Sequence, residues 1–336
     1  MMRKKFLSLI NLLILGMWSC FIFAGITPVP PARVIRRYAY AVGKEGLFIF
    51  DVSDPSNVYE VGRYKTTKPP KGLDVSGYYA YIIDNEFGLT IIDVSDPTAP
   101  RKISSWVIGG TSAGLAQDID IMDKYAYIAF FDIGLAIVNV TSPFNPRMIS
   151  CWRKSSSIGD IYSVDVDGKY AYLAHSYGLT IIDISAPFNP REKSHCFIRG
   201  GARDIKVVKN YAYIASGGNG FTIVDMHNIT TPRIVGHCNT VFARGVDAVG
   251  NYIYIADGGG GLVIILADYP TEPRLISRCE IGGFARRVYV KGEYAYVADE
   301  RKGLVIIDVH DPTNPVITAR MSRNALYDIA VRDVAE

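Results

Sequence analysis

Short apolar runs and turn-forming residues alternate along the chain, and the alternation returns at a nearly constant interval. Each unit contains a Tyr-x-Tyr pair, and successive pairs lie 41 to 46 residues apart. The first tyrosines of the pairs are Tyr38, Tyr79, Tyr125, Tyr170, Tyr211, Tyr252 and Tyr294. A glycine follows within nine residues, then a second apolar run such as residues 89–94, then a turn containing proline. Seven units in one register indicate a repeat architecture.

Each unit predicts four short strands. The first precedes the tyrosine pair, as at residues 204–207, and the second carries the pair together with branched side chains, as at residues 211–215. The glycine lies in the turn to the third strand, where a positive φ costs it little. Proline cannot donate to a sheet ladder, so the fourth strand begins after the proline turn, as at residues 146–152. Four-stranded units of this length are typical of β-propeller blades, so we predict an all-β fold of seven blades.

The two ends of the repeat region predict how the ring closes. Tyr38 has no proper first strand ahead of it, whereas residues 327–331 read as a first strand with no tyrosine pair after it. If the C-terminal strand joins the N-terminal blade, the seventh sheet is complete and the ring has no exposed edge. We therefore assign residues 34–336 to the propeller.

The third-strand sequences resemble those of a known family. Residues 303–309 read Gly-Leu-Val-Ile-Ile-Asp-Val, and residues 88–97 read Gly-Leu-Thr-Ile-Ile-Asp-Val-Ser-Asp-Pro. These are similar to the LVIVD repeat, and the resemblance extends over about residues 34–335, with departures at Asn139, Phe221 and Leu266. The resemblance implies an exported or surface β-propeller of bacteria or archaea. It implies no common catalytic activity and supplies no active site.

The N-terminal segment reads as a targeting signal. Arg3, Lys4 and Lys5 precede an uncharged stretch from residue 6 to 26, which is long for a signal peptide and long enough to cross a bilayer. We assign residues 1–26 to a signal peptide or N-terminal anchor and residues 27–33 to a spacer. Lipid attachment at Cys20 is a third option, although Trp18 suits it poorly. The expected location is extracellular, periplasmic or at the cell surface.

The charge balance limits the classes of partner that we expect. The whole formal charge of +3 comes from the three basic residues of the leader, so the body carries 33 basic and 33 acidic groups. A neutral body argues against nucleic acid, which needs a surplus of basic residues on one face. We expect a monomer that contacts a membrane only through residues 6–26.

Most residues with reactive side chains have a structural interpretation. The cysteines of the body, at positions 151, 196, 238 and 279, fall on outer strands too far apart to bridge, so we expect free thiols. An aspartate recurs before the proline turn, and we expect it to bond nearby backbone amides. Its positions are Asp51, Asp93, Asp183, Asp225 and Asp308. We expect no cofactor and no bound metal.

One set of positions could bind a ligand. The loops entering the first strands and the glycine turns share one face, which we call the top face, and the residue eight before each tyrosine should line the mouth of the central channel. These residues are Lys71, Gln117, Tyr162, Arg203, Arg244, Arg286 and Tyr327. The basic members Lys71, Arg203, Arg244 and Arg286 could hold a carboxylate or an acidic sugar. The alternative, which the sequence favours, is that the three arginines pair with the acids of the next position, Asp118, Asp204 and Asp328, as links between blades.

The sequence favours a non-catalytic, exported or cell-surface propeller that binds a protein or a glycan through its top face. One alternative is an enzyme at the channel mouth, either a lyase or a metal-dependent hydrolase. In the hydrolase, four residues from different blades would surround a cation: Asp84, His175, Asp257 and Asp299. A second alternative is a structural module that displays other groups and needs no specific ligand.

Overall fold

The computed structural model describes residues 35–84, 88–107, 115–322 and 325–335. These ranges form 28 β-strands, and none of the described residues lies in a helix. No segment of the described chain is a helix of the length and apolarity needed to span a membrane. The predicted leader, residues 1–26, and the predicted spacer, residues 27–33, lie outside the described residues.

The strands group into seven four-stranded sheets, each of which runs from an inner strand at the channel to an outer strand. Blade 1 contains, in that order, β28 (Leu326–Ala335), β1 (Ile35–Gly43), β2 (Gly46–Asp51) and β3 (Tyr59–Lys65). Blade 2 contains β4 (Gly72–Ser76), β5 (Tyr79–Asp84), β6 (Gly88–Asp93) and β7 (Arg101–Trp106). Blade 3 contains β8 (Ala116–Met122), β9 (Tyr125–Phe130), β10 (Gly134–Asn139) and β11 (Arg147–Arg153). Blade 4 contains β12 (Ile161–Asp167), β13 (Tyr170–His175), β14 (Gly178–Asp183) and β15 (Arg191–Phe197).

The remaining three sheets complete the ring. Blade 5 contains β16 (Asp204–Val208), β17 (Tyr211–Ala215), β18 (Phe221–Asp225) and β19 (Arg233–Cys238). Blade 6 contains β20 (Gly245–Val249), β21 (Tyr252–Ala256), β22 (Leu262–Leu266) and β23 (Arg274–Cys279). Blade 7 contains β24 (Ala285–Lys291), β25 (Tyr294–Asp299), β26 (Gly303–Asp308) and β27 (Val316–Met321). The seven-bladed propeller is confirmed, and so is its closure, because β28 pairs with β1.

The core lies between neighbouring blades. The second and third strands of each sheet are buried on both faces, because each sheet packs against another sheet on either side. Between blades 3 and 4, for example, Leu135 and Ile137 pack with Leu173 and Ile182, and all four are fully buried. Each such side chain contributes roughly 1.5–3 kcal/mol relative to an exposed one. Seven interfaces of this kind hold the ring together.

The repeat aspartate has the turn role that the sequence predicted. Asp93 accepts a hydrogen bond from the amide of Ser95 at 2.9 Å, and Asp51 accepts one from Ser53 at 2.9 Å. Asn139, which replaces the aspartate in blade 3, accepts from the amide of Thr141 at 2.9 Å. The side chain therefore serves the turn that ends the third strand, and the interpretation as a turn residue is confirmed.

Each outer strand contains a β-bulge, and the strand contacts the next blade there. In blade 3 the bulge lies between the partners of Ile137 and Val138, and Ser150 there donates to the carbonyl of Pro187 in blade 4 at 2.6 Å. In blade 5 the same position is Gly236, where a Cβ would come within 2.1 Å of the Pro270 carbonyl oxygen. The residue at the bulge must therefore be small or carry a hydroxyl. The repeat spacing did not reveal this requirement.

Candidate functional site

The predicted channel-mouth residues line one cavity. Its volume is about 200 Å³, and it opens on the top face at the inner ends of the blades. The residues that line it are Lys71, Gln117, Tyr162, Arg203, Arg244, Arg286, Arg287, Tyr327 and Asp328. The structure thus brings together all seven residues that the sequence placed at the mouth, including the four candidate basic residues.

The backbone explains why neighbouring residues face different layers of the channel. In blade 7 the pairing of β24 with β25 shifts between Ala285 and Arg287, so Arg286 is the extra residue of a bulge. The same shift makes Gln117 and Tyr162 the extra residues of blades 3 and 4. A bulge redirects the side chain of its extra residue. Arg286 therefore lines the mouth, whereas Arg287 lies in the layer beneath.

Aromatic rings support the cations of the mouth. The guanidinium of Arg203 lies 4.4 Å from the centre of the Tyr162 ring. Tyr327 contacts two cations, with Lys71 Nζ at 5.5 Å and the Arg286 guanidinium at 5.0 Å from its ring centre. These cation–π contacts orient the basic groups without neutralising them.

One carboxylate partly neutralises the mouth. Glu300 accepts a hydrogen bond from Arg286 at 2.6 Å and lies 3.9 Å from Arg244. Within the described ranges, Lys71 and Arg203 form no ion pair with a carboxylate. The five cations of the lining, together with the carboxylates of Asp328 and Glu300, give a formal charge of +3.

Burial and electrostatic repulsion lower the pKa of two cations of the mouth. Burial, followed by repulsion from Arg286, lowers the pKa of Lys71. The same two causes, in the same order, lower the pKa of Arg244. The mouth therefore holds its positive charges closer together than they would lie free in water, and an anion between them would relieve the repulsion.

The acids of the next layer are not paired as the sequence predicted. Asp118, Asp204 and Asp328 all bind Arg287, with Asp118 at 2.8 Å, Asp328 at 2.9 Å and Asp204 also in contact. The expected pairing of these acids with Arg203, Arg244 and Arg286 was therefore wrong. One arginine from blade 7 reaches all three acids because it lies in their layer.

The same acids also connect adjacent blades through the backbone. Asp328 of blade 1 accepts from the amide of Leu73 in blade 2 at 2.8 Å. Asp204 of blade 5 accepts from the amide of Val246 in blade 6 at 2.8 Å. Burial raises the pKa of Asp328 to about 6 and also raises the pKa of Asp204. These carboxylates are thus structural links whose charge is costly inside the fold.

A deeper layer repeats this arrangement. Here the aspartate five before the blade tyrosine accepts an amide of the next blade, as Asp74 does from Ile121 at 2.8 Å and Asp247 from Val290 at 2.7 Å. In blade 5 the position is Lys206, whose ammonium lies 2.8 Å from Asp165. This layer borders a second cavity of about 290 Å³. An acid within an otherwise apolar strand is the sequence signal for these links, and the repeat register alone did not single it out.

Three of the four residues of the metal-dependent alternative, Asp257, Asp299 and His175, form hydrogen bonds within their own blades. Asp257 accepts from the amides of Val241 at 2.9 Å and Phe242 at 2.7 Å. Oδ1 of Asp299 accepts from the amides of Arg301 and Lys302, both at 2.7 Å. Asp84 ends β5, and His175, which ends β13, is bonded within its own hairpin. In the described part of the chain, no group of three or more His, Cys, Asp or Glu is placed to hold a metal ion.

The four cysteines of the body are free thiols. Cys279 is buried, and the other three are half-buried on the outer strands. Burial raises the pKa of all four thiols. A raised pKa keeps a thiol protonated and unreactive, so these side chains act as packing residues.

Sequence comparison matches the repeats to one family model. The model for the LVIVD repeat matches all seven units. The matched segments are residues 34–66, 71–106, 113–151, 158–197, 199–240, 242–280 and 282–322. Among curated proteins, none matches this sequence.

Solved structures share the fold at low sequence identity. A candidate 6-phosphogluconolactonase from Bacteroides fragilis aligns with a TM-score of 0.76 at 11% identity, covering 89% of this chain and 98% of that one. A hypothetical selenium-binding protein from Sulfolobus tokodaii aligns with a TM-score of 0.72 at 10% identity, covering 88% and 93%. AztD from Citrobacter koseri aligns with a TM-score of 0.58 at 13% identity, covering 90% and 98%. At these identities the likeness shows the fold alone.

Proposed function

We propose that this chain, which belongs to the LVIVD-repeat family, is a non-catalytic binding module whose channel mouth takes the anionic group of an acidic glycan. The observation that carries the proposal is the excess of positive charge in a small, aromatic-lined cavity. Its place at the cell surface or outside the cell rests on the basic and apolar leader of residues 1–26.

The size of the mouth favours a small group over an extended protein surface. A cavity of about 200 Å³ is smaller than the roughly 300–1,000 Å³ typical of sites for drug-sized molecules. It suits a single charged sugar ring at the end of a chain. A protein partner would reach it only by inserting one acidic side chain.

The charge distribution around the mouth favours a ligand with one charged side. Arg203, Arg244 and Arg286 come from the consecutive blades 5, 6 and 7, whereas Gln117 and Tyr162 of blades 3 and 4 are neutral. A sugar carboxylate would bind the arginines, and its hydroxyls would face the amide and the phenol. Each charge-assisted hydrogen bond would contribute about 1.5–3 kcal/mol.

The acids near the mouth favour binding over catalysis. Asp328 accepts from Arg287 and from the amides of Leu73 and Ile329, so its oxygens are engaged. Glu300 is held by Arg286. A general base needs a free lone pair within reach of the substrate, and both oxygens of Asp328 already accept hydrogen bonds.

Calorimetric titration with galacturonate and with galactose, its uncharged counterpart, tests the proposal. We expect galacturonate to bind, galactose to bind at least tenfold more weakly, and affinity to fall as salt is added. Arg203→Gln should abolish most of the difference. Arg101→Gln is the matched control, because Arg101 is 76% exposed and pairs with Asp93 in a turn on the opposite face.

Two results would contradict the proposal. The first is equal binding of the acidic and the neutral sugar, or binding that Arg203→Gln leaves unchanged. The second is turnover: hydrolysis of a sugar lactone that is lost in Arg286→Gln would favour the enzyme alternative. Because each result concerns the mouth residues, both can be obtained with the same set of variants.

A further inference from the structure

A third cavity lies outside the channel, at the top of blade 4. Its volume is about 490 Å³, within the roughly 300–1,000 Å³ range of small-molecule sites. It lies on the side of the sheet that faces blade 3, the side on which Leu173 packs with Leu135. The residues that line it are Ser157, Ile158, His175, Tyr177, Thr180, Glu192, His195, Cys196 and Phe197.

Strand register explains why a cavity forms here. Gly178 pairs with His175 on one side and with Phe197 on the other, so two rings flank a position that has no side chain. The glycine is fixed there: its φ is +139°, and a Cβ would come within 2.2 Å of the Cys196 carbonyl oxygen. Blade 4 therefore has a gap between two rings at the end of its sheet.

In blades 1 and 3 the equivalent glycine is not flanked by two aromatic rings. The outer partner of the turn glycine is Lys65 in blade 1 and Arg153 in blade 3. In blade 4 it is Phe197, which is 70% exposed although it is fully apolar. Tyr177, in the adjacent turn, is also exposed. Exposed aromatic side chains that border one cavity are typical of a binding site rather than of a free surface.

His175 keeps the floor of the cavity neutral. Its Nδ1 accepts from the amide of Tyr177 at 3.2 Å, so Nε2 carries the proton and donates to Thr180 Oγ1 at 3.0 Å. Burial, with smaller contributions from Lys154 and His195, lowers its pKa to about 4. The imidazole is therefore uncharged at physiological pH and has no hydrogen-bonding atom left for a charged ligand.

The entry loop of blade 4 is held by a different residue from that of blade 6. In blade 6 that residue is Asp257, which binds two amides of the preceding loop, Val241 and Phe242. In blade 4 the preceding loop, residues 154–160, is held instead by Ser176, whose hydroxyl accepts from the amide of Asp160 at 3.1 Å. Two residues of this loop, Ser157 and Ile158, line the cavity.

We propose that this blade 4 cavity binds a neutral ligand with one aromatic ring and a hydroxyl substituent. The ring would lie between Tyr177, Phe197 and Ile158, and it would cover the exposed aromatic surface. The substituent would meet a polar pair at the rim, Glu192 and His195, whose side chains lie 3.5 Å apart. This site is separate from the channel mouth. Its ligand is uncharged and aromatic, whereas the ligand of the mouth is anionic.

Titration of the whole protein with p-cresol, followed by calorimetry or by NMR line shifts, tests the proposal. We expect saturable 1:1 binding, and we expect benzoate, a charged ring of similar size, to bind at least about tenfold more weakly. Phe197→Lys, which installs the residue of blade 1, should weaken p-cresol binding by at least about tenfold, and Tyr177→Ser should act in the same direction.

Two control variants make the test specific. Phe188 is as exposed as Phe197, at 70%, but it lies in a turn on the opposite face, so Phe188→Lys should leave p-cresol binding unchanged. Arg203→Gln, at the channel mouth, should also leave it unchanged. Absence of saturable binding, or equal loss in Phe188→Lys and Phe197→Lys, would overturn the proposal without affecting that for the mouth.

Discussion

Replacing Arg287 by methionine should expose how much the acid layer of the channel depends on one side chain. The arginine is largely buried, with 22% of its side chain exposed, and it binds Asp118, Asp204 and Asp328. Methionine keeps most of the apolar stem but leaves three buried carboxylates without their cation. Breaking a buried ion pair from one side costs about 3–5 kcal/mol, so we expect at least about 3 kcal/mol of lost stability at pH 7.5.

The loss of stability in Arg287→Met should be smaller at acidic pH, because the buried carboxyls take up protons there. Burial already raises the pKa of Asp328 to about 6 with Arg287 present, and removal of the cation raises it further. A carboxyl whose pKa is higher in the folded state binds more protons folded than unfolded, so the folded state gains stability as pH falls through that pKa. Between pH 7.5 and 5 the free energy of unfolding should therefore increase more in the variant than in the parent. The difference is about 2 kcal/mol if the pKa of Asp328 rises about 2 units further.

Urea unfolding at the two pH values measures both quantities. Arg101→Met is the control, because this exposed arginine pairs with Asp93 at 2.9 Å at the surface and should cost less than about 1 kcal/mol. A loss below about 1 kcal/mol for Arg287→Met at pH 7.5, or a loss that is the same at pH 5, would refute the reasoning.

Three further predictions concern the fold. Burial raises the pKa of Asp74 and of Asp247 to about 6, so the melting temperature of the parent protein should rise as pH falls from 7.5 to 5; a fall would contradict this. Gly236→Ala should cost about 1–3 kcal/mol in urea unfolding, because its Cβ would come within 2.1 Å of the Pro270 carbonyl oxygen, whereas Gly259→Ala should be neutral, because a Cβ there meets nothing within 4 Å. Deletion of β28 should abolish cooperative thermal unfolding, because β1 would lose its inner partner; an unchanged transition would argue against closure by that strand.

The fold could be predicted from the sequence because the repeat supplies seven copies of the same evidence. A single Tyr-x-Tyr pair is weak, but seven pairs in register fix the strand order of every blade and the place of the mouth. The position eight before Tyr294 is Arg286, and the structure places it at the mouth with its equivalents. The same counting identified the closing strand, because the incomplete first unit and the surplus last strand are complementary.

The ion pairs could not be predicted from the same register. Arg286 and Arg287 are adjacent in sequence, and only the bulge in β24 separates them into two layers. Asp118 and Asp204 come from blades 3 and 5, so their contact with an arginine of blade 7 depends on distances across the ring. A repeat defines which positions share a layer, but the partner of each side chain depends on the other six blades.

The body has no net charge, but the acids and the unneutralised cations of the channel lie in different layers. Equal numbers of acids and bases in the body are compatible with a local positive site, because the total charge does not describe how the charges are distributed. In this channel the unneutralised cations lie in the outer layer, and the acids are held beneath them by backbone amides and by Arg287. Substitutions in the outer layer should therefore affect ligand binding, and substitutions in the layer beneath should affect stability. Loss of Arg203 should change ligand binding with little effect on stability, because its contact is the ring of Tyr162, whereas loss of Arg287 should change stability first.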